Sequence, residues 1–321
     1  MKPLDIHRPA RPPHLARSFT GTYRLTGRVA FFDDVKTPFL KLRLSDCEGD
    51  HVALLNLDKT SVPERIGHLD TVTATGVKGL SSQFMLHEFR KATQDEMASL
   101  ATLQSLPRVY CPVRETFDQL VSTAQSLHSA HLREFLTRVL ERQDRMEAFL
   151  NAPASVSYHH AYPGGLLQHS LDVANNAVAM LRLNEPDMPR LMQETCFVAG
   201  LLHDIGKTYT YDSKGKPNAA WKLCSHDAFT LEACAYGLAY LDQHAPDLAI
   251  MLRHVWTCAS PGARYGQPAA MTLARYVRDA DGQSAMADNQ QRAFSRTNGW
   301  GFSRLGQNLF WRPEGPTLQP Q

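Results

Sequence analysis

Nine residues, Ala199-Gly200-Leu201-Leu202-His203-Asp204-Ile205-Gly206-Lys207, decide how the rest of the chain is read. Residues 196–202 form an apolar run that reads as a buried helix, and it ends on two adjacent side chains able to bind a metal. Gly206 stops the helix and Lys207 adds a cation. An aspartate sits badly at a helix C-terminus, because the partial negative charge there repels a carboxylate. A buried helix closing on His-Asp therefore asks for a compensating cation, which a metal ion would supply. A satisfied interior histidine beside a solvated aspartate fits the same letters, so the choice falls to the rest of the chain.

The chain of 321 residues is long enough for about two domains. With 43% hydrophobic and 21% charged residues it has the makings of a sizeable core, and its net charge of +2 neither demands nor excludes a polyanionic partner. Six scattered cysteines with no Cys-x-x-Cys pair argue against a zinc ribbon and against a disulfide framework. No stretch approaches the ~18 consecutive apolar residues of a membrane span. The first residues are rich in Pro, Arg and His and lack the apolar segment of a signal peptide. A reducing cytoplasm is the expected location, with no membrane partner.

Residues 1–20, with Pro3, Pro9, Pro12 and Pro13, read as a disordered leader. From 21 to 93 the texture changes to short strands broken by turns, at about 23–32, 38–44, 52–57, 71–78 and 83–89, with a link near 63–66. In the second of these, Phe39, Lys41 and Arg43 alternate with Leu40, Leu42 and Leu44. Five strands with a link between the third and fourth match the small Greek-key barrel called the OB-fold. Such barrels hold single strands by stacking bases on aromatics beside cations. Phe39, Lys41 and Arg43, with Phe31, Phe32 and Phe84, are the candidates, although phenylalanines in a barrel also serve as its core.

From 94 to 290 the pattern is helical, with apolar residues recurring at i, i+3 and i+4. Within it lies Pro153-Ala154-Ser155-Val156-Ser157-Tyr158-His159-His160-Ala161-Tyr162-Pro163-Gly164-Gly165-Leu166-Leu167-Gln168-His169-Ser170. Pro163-Gly164-Gly165 is a turn opening a helix whose Leu166, Leu167, Ser170, Leu171, Ala174 and Val178 face inward, with His169 in its first turns. Further on stand Cys224-Ser225-His226-Asp227, Leu252-Arg253-His254 and Arg278-Asp279-Ala280-Asp281. From 291 to 321 periodicity is lost, and Arg292, Arg296, Arg304 and Arg312 alternate with Phe294, Trp300, Phe302, Phe310 and Trp311. This tail reads either as a nucleic-acid contact or, the favoured reading, as a strap docked on a domain.

His169, the dyad His203-Asp204 and a later aspartate resemble the H…HD…D signature of the HD-domain metal-dependent phosphohydrolases. The wording around His159 to Ser170 is similar to two groups within that superfamily. One comprises the YhaM-like 3′→5′ exoribonucleases, which pair an OB domain with an HD domain. The other is the TraI-like HD region of MobH-type relaxases, matched by Pro153-Ala154-Ser155 and Ala280-Asp281-Gly282-Gln283-Ser284. The resemblance spans about residues 94–289 and extends weakly to 21. It implies an α+β chain, an OB-like barrel followed by an all-α HD bundle. It also implies a metal held by His169, His203, Asp204 and Asp281, the last preferred over Asp279 because the family ligand lies in an Ala-Asp dipeptide. His226 and His254 correspond to second-metal positions. Ala259-Ser260 stands where YhaM-like enzymes carry His-His, which leaves that second ion open.

Mixed imidazole and carboxylate ligation suits Mn, Fe, Co, Ni, Zn or Mg and does not choose among them. A metal so held can acidify water and polarise a phosphoryl oxygen. Asp204 doubles as ligand and orienter of that water, Lys207 is the candidate phosphate clamp, and His159 or His160 could protonate the leaving oxygen. The expected function is a metal-dependent phosphodiesterase on single-stranded RNA or DNA, foremost a 3′→5′ exonuclease. A phosphohydrolase of small nucleotides and a conjugation accessory protein that binds nucleic acid stand as alternatives.

Overall fold

The computed structural model describes residues 17–62, 65–78, 84–156, 159–212, 215–264, 266–295, 297 and 299–314. The expected leader lies outside these residues up to position 16, as do Arg296 and residues 315–321 of the tail, while the leader's last four residues, 17–20, are strand rather than leader because they pair in the sheet. The chain is α+β and separates into two compact units, Met1–Leu100 and Ala101–Gln321.

The first unit is built from β1 (Arg17–Phe32), β2 (Pro38–Ser45), β3 (Asp50–Asn56), β4 (Thr71–Lys78) and β5 (Phe84–Lys91). They close in the order β1-β2-β3-β5-β4, with β3 and β5 parallel and the other pairs antiparallel. Closure depends on the length of β1. Its C-terminal half, Arg24 to Phe32, pairs with β2, and its N-terminal half, Arg17 to Arg24, pairs with β4, with a bulge between Leu25 and Gly27. A bulge bends a strand and lets one strand serve two neighbours. The period-2 alternation expected in β2 is present: Leu40, Leu42 and Leu44 are buried in the interior, while Lys41 and Arg43 point out. Phe84 joins the core, so it is not available to stack a base, whereas Phe31 and Phe32 are exposed and Phe39 stacks on Phe31 at 5.8 Å.

Helix α1 (Gln94–Ala98) completes this unit. Thr93 and Glu96 form a reciprocal capping box at its start, and Glu96 also pairs with Arg90 at 2.7 Å.

The second unit is helical. It contains α2 (Arg114–Ser126), α3 (Ala130–Leu140), α4 (Met146–Asn151), α5 (Gly165–Asn184), α6 (Arg190–Leu202), α7 (Ala219–Leu223), α8 (His226–His244), α9 (Pro246–Thr257) and α10 (Thr272–Phe294). The central pieces are α5 and α6. All six residues of α5 expected to face inward are buried, and α6 is buried continuously from Glu194 to Leu202. An all-round buried helix needs its polar groups satisfied. Glu194 meets this by accepting the N–H groups of His128 and Ser129 at the start of α3, at 2.8 and 2.9 Å. The Trp256 indole donates to the Ala199 carbonyl at 2.9 Å and ties α9 to α6.

The C-terminal stretch departs from expectation. Helix α10 continues through position 290 to Phe294, and the supposed loose tail forms a hairpin of β6 (Gly301–Leu305) and β7 (Asn308–Arg312). A two-residue loop that opens with Gly306 at φ +58° joins the strands, as tight hairpins require. Phe310 packs against Ala293 and Phe294, while Trp300, Phe302 and Trp311 stay exposed. The strap reading holds for one face of the hairpin and fails for the other. No described helix is long and apolar enough to cross a membrane.

Candidate metal centre

Three helices deliver the site. Helix α5 supplies His169, fully buried; the end of α6 supplies His203 and Asp204; α10 supplies Asp281. One ligand atom from each of the four lies within 4.8 Å of all the others. His169 Nε2 is 3.4 Å from Asp204 Oδ2 and 3.1 Å from Asp281 Oδ1. His203 Nε2 is 3.4 and 3.7 Å from the same two oxygens.

The far nitrogens of both rings are engaged. His203 Nδ1 donates to the Gly200 carbonyl at 2.7 Å, and His169 Nδ1 meets Ser284 Oγ at 3.0 Å. Engagement at Nδ1 holds each ring with its Nε2 facing inward, the orientation metal-ligating histidines adopt. Both Nε2 atoms are buried with no hydrogen-bond partner among the described residues. Buried unpaired polar atoms are costly, and a cation between them and the two carboxylates would relieve that cost. The donor set thus fits a divalent ion.

The electrostatics agree. Burial alone would push Asp204 up, but Lys207 and His203 outweigh it and hold the carboxyl well below its ordinary value. Asp281 is lowered the same way, against its burial, by the neighbouring His169 and His203 side chains. Burial opposes the charge on His203, yet Asp204 and Asp281 raise its pKa to about 10. Lys207 Nζ lies 2.6 Å from Asp204 Oδ2, so its ammonium is paired with a site carboxylate.

Asp204 has two sides. Its Oδ2 faces His169, His203 and Lys207, and its Oδ1 faces His226 Nε2 at 3.0 Å. His226 opens α8, and the close approach of that turn depends on Gly206, where a Cβ would fall 2.0 Å from the His226 carbonyl. The structure does not bring His254 to the centre: its Nε2 accepts the Ala270 N–H at 2.9 Å. Asp279 is exposed.

His159 and His160 approach from the loop before α5, their rings 4.9 and 5.4 Å from that of His169. Burial, then the charges of His169 and Lys207, lower the His159 pKa to about 4. His160 adopts a left-handed φ of +47°, with its N–H donating to Asp288 at 2.9 Å and its Nε2 3.3 Å from Asp172. The conformation is strained for a non-glycine residue and is held by those bonds. Gly165 makes room for it, since a Cβ there would fall 2.0 Å from the His160 carbonyl. Ser284, Asp288 and Asp172 were missed from sequence. The first two follow Asp281 at helical spacings of three and seven on α10, a signal that could have found them. A cavity of about 670 Å³ adjoins Lys207 through Thr208 and Tyr211 and reaches Arg145, Asn151 and Tyr162.

A helical bundle that converges His, His-Asp and Asp on one point is the arrangement of HD-type metal phosphohydrolases. Comparison with known proteins agrees. Residues 110–221 match the family model TraI_2, described as "Putative helicase". The dihydroneopterin 2′,3′-cyclic phosphate phosphodiesterase of Methanocaldococcus jannaschii is 30% identical over 106 residues, covering 30% of this chain and 43% of that protein. The 3′-5′ exoribonuclease YhaM of Bacillus subtilis is 27% identical over 175 residues, 53% of this chain and 52% of the relative. YhaM of Shouchella clausii aligns over 299 residues at 22% identity, covering 86% and 87%. The chain spans about half the length of the first two relatives. Together these similarities support an HD-superfamily, YhaM-like protein.

Proposed function

We propose that the chain is a metal-dependent phosphodiesterase acting on single-stranded nucleic acid, foremost a 3′→5′ exonuclease on RNA or DNA. The observation that carries this reading is the convergence of His169, His203, Asp204 and Asp281 with both Nε2 atoms aimed inward. The relatives named as exoribonuclease and phosphodiesterase support the substrate class. These four residues would hold one divalent ion, Mn, Fe, Co, Ni, Zn or Mg. His226, facing the second oxygen of Asp204, is a further ligand candidate, and His254 is no longer one.

When bound, such an ion supplies Lewis acidity to a phosphoryl oxygen and to water. The chain's own groups do the rest. Lys207 keeps Asp204 ionised and presents an ammonium to the phosphate oxygens. His159, unprotonated at neutral pH, suits accepting a hydrogen bond rather than donating a proton. His160, backed by the Asp172 carboxylate, is the better placed donor to a leaving oxygen. Tyr162 and Tyr211 line a cavity wide enough for a nucleoside.

We read the first unit as an OB-fold covering about residues 21–93 and closed by α1, on the strength of its strand order and the parallel β3–β5 pair, and the second unit, from Ala101, as the HD domain expected from 94. Its outward Phe39, Lys41 and Arg43 would hold the strand. The free cysteines suit a cytoplasmic protein.

The test is a grid of metals against end-labelled single-stranded RNA, single-stranded DNA and small cyclic or linear nucleotides, with wild type and Asp204→Ala side by side. Shortening of labelled strands from the 3′ end that Asp204→Ala abolishes supports the reading. Intact strands with cleaved cyclic nucleotides would instead favour a small-nucleotide phosphodiesterase, the reading suggested by the M. jannaschii relative.

A further inference from the structure

The hairpin after α10 has two unlike faces. Residues Ser303 and Phe310 pair across it and turn inward, where the Ser303 hydroxyl donates to the Ala293 carbonyl at 2.7 Å and Phe310 joins Phe294. The alternate pairs, Phe302 with Trp311 and Arg304 with Leu309, therefore share the outer face. Phe302 is 71% exposed, Trp311 57%, and Trp300 at the start of the hairpin 47%. The Phe302 and Trp311 rings are neighbours, tilted at 48° with their centroids 6.5 Å apart.

Three exposed aromatics on a short ribbon are a surface that an isolated chain has no reason to keep. Their company identifies the occupant. From Gly299 to Arg312 there is no acidic residue, while Arg304 is exposed on the same face as the aromatics and Arg312 stacks on Phe294 at 4.4 Å. Aromatic π-faces beside the Arg304 guanidinium match a ligand with flat bases and an anionic backbone. Aromatics beside arginine also occur at protein and lipid interfaces, so the experiment below carries an arm for each.

We infer that the outer face of this hairpin is a base-stacking platform for the single strand whose end occupies the metal centre; the inference rests on the nuclease reading above. Position fits the role. Asp281 and Phe294 belong to one helix and are thirteen residues apart, about 20 Å at ~1.5 Å per residue. At a stacked rise of ~3.4 Å that is about six nucleotides. Long strands would engage both the centre and the platform, and di- or trinucleotides only the centre.

The experiment uses the full chain. Phe302→Ala/Trp311→Ala and, to preserve an apolar surface while removing the π-faces, Phe302→Leu/Trp311→Leu are compared with wild type. Binding of fluorescein-labelled 12-nucleotide oligo(A) and oligo(U) is measured in EDTA, and cleavage of a 12-mer, a dinucleotide and bis(p-nitrophenyl) phosphate in Mn²⁺. Both variants are expected to lose about 25-fold or more in 12-mer affinity, about fivefold for each unstacked base. Cleavage of the dinucleotide and the small diester should be unchanged. Wild-type 12-mer affinity in both variants overturns the platform and leaves the nuclease reading standing. A wild-type dimer by sedimentation, or wild-type binding to anionic vesicles, that both variants lose while keeping 12-mer affinity overturns it in favour of those partners. A wild-type chain that neither binds nor cleaves the 12-mer overturns the nuclease reading itself.

Discussion

The buried His/Asp centre and the outer face of the barrel are both surfaces of contact with a substrate under the proposed function, and they are built by opposite rules. In the centre three of the four ligand candidates have a second bond that aims them: Ser284 behind His169, the Gly200 carbonyl behind His203, Lys207 against Asp204. On the barrel, Lys41 and Arg43 are exposed side chains on a strand, and Phe39 has a single stacking neighbour in Phe31. Chemistry at a phosphorus demands angles and distances that only packing can impose, whereas holding an anionic strand demands charge and flat surface in roughly the right place. Single substitutions should accordingly be severe in the first region and mild in the second.

The largest effect is expected at Asp204. It is a ligand candidate through both oxygens, the partner of Lys207 and His226, and almost fully buried. Loss of a residue that merely orients a ligand costs ~10–100-fold in metal affinity or activity, so loss of this one should exceed about 10³-fold. Elemental analysis of purified Asp204→Ala and its hydrolysis rate check this together. Full activity with retained metal would break the site assignment.

The next prediction concerns pH. In the metal-free protein His203 keeps its proton up to about pH 10, although the ordinary imidazole value is 6.5. Its contribution to stability is complete below pH 6.5 and is lost as pH rises through 10, because over that window the folded state binds a proton the unfolded chain has released. A metal must displace the same proton, so metal affinity rises over the same window, about tenfold per pH unit for one proton. The metal-free protein should lose thermal stability between pH 7 and 9 while metal affinity gains about 100-fold. Calorimetric titration in buffers of different ionisation enthalpy counts the protons directly, and a count of zero contradicts the geometry at His203.

Ser284→Ala should cost about 10–100-fold in metal affinity, since it removes the bond that orients the His169 ring without touching a ligand. Ser284→Thr should restore most of it by returning a hydroxyl, a rescue that a merely structural role would not produce.

The centre was legible from sequence chiefly through the resemblance to the H…HD…D signature, since the local reading of His203-Asp204 left a satisfied interior histidine open. A carboxylate at the end of an apolar helix and a histidine behind a Gly-Gly turn are anomalies unless something compensates them, and Asp281 falls in the expected Ala-Asp dipeptide. The five strands could be expected from turn-bounded runs of short strands. Three things could not be read. The direction of His254 depends on a hydrogen bond from Ala270, across a connection of irregular backbone that carries no period. Ser284 and the Gly200 carbonyl act through geometry, and a serine or a peptide group looks alike wherever it stands. The hairpin was hidden because two five-residue strands among Gly299, Gly301 and Gly306 are too short to display alternation against their turn residues.

The smallest effect is expected on the barrel, and it is the one that tests the contrast most sharply. Lys41 and Arg43 lie two residues apart on β2, opposite Val29 and Gly27 of β1, with nothing in the barrel core depending on either. Replacing both with Ala should leave thermal stability and the cleavage of dinucleotides unchanged. Affinity for long single strands should fall only severalfold at moderate salt, as two phosphate contacts disappear. The more telling readout is the slope of log affinity against log salt. Each phosphate neutralised on a single strand contributes ~0.7, so the slope should flatten by about 1.4. A flattening with little loss of cleavage marks a surface that concentrates the strand without aligning it. A loss of cleavage as large as that of Asp204→Ala would mean that the barrel positions the reacting phosphate, and the division of labour between the two regions would have to be abandoned.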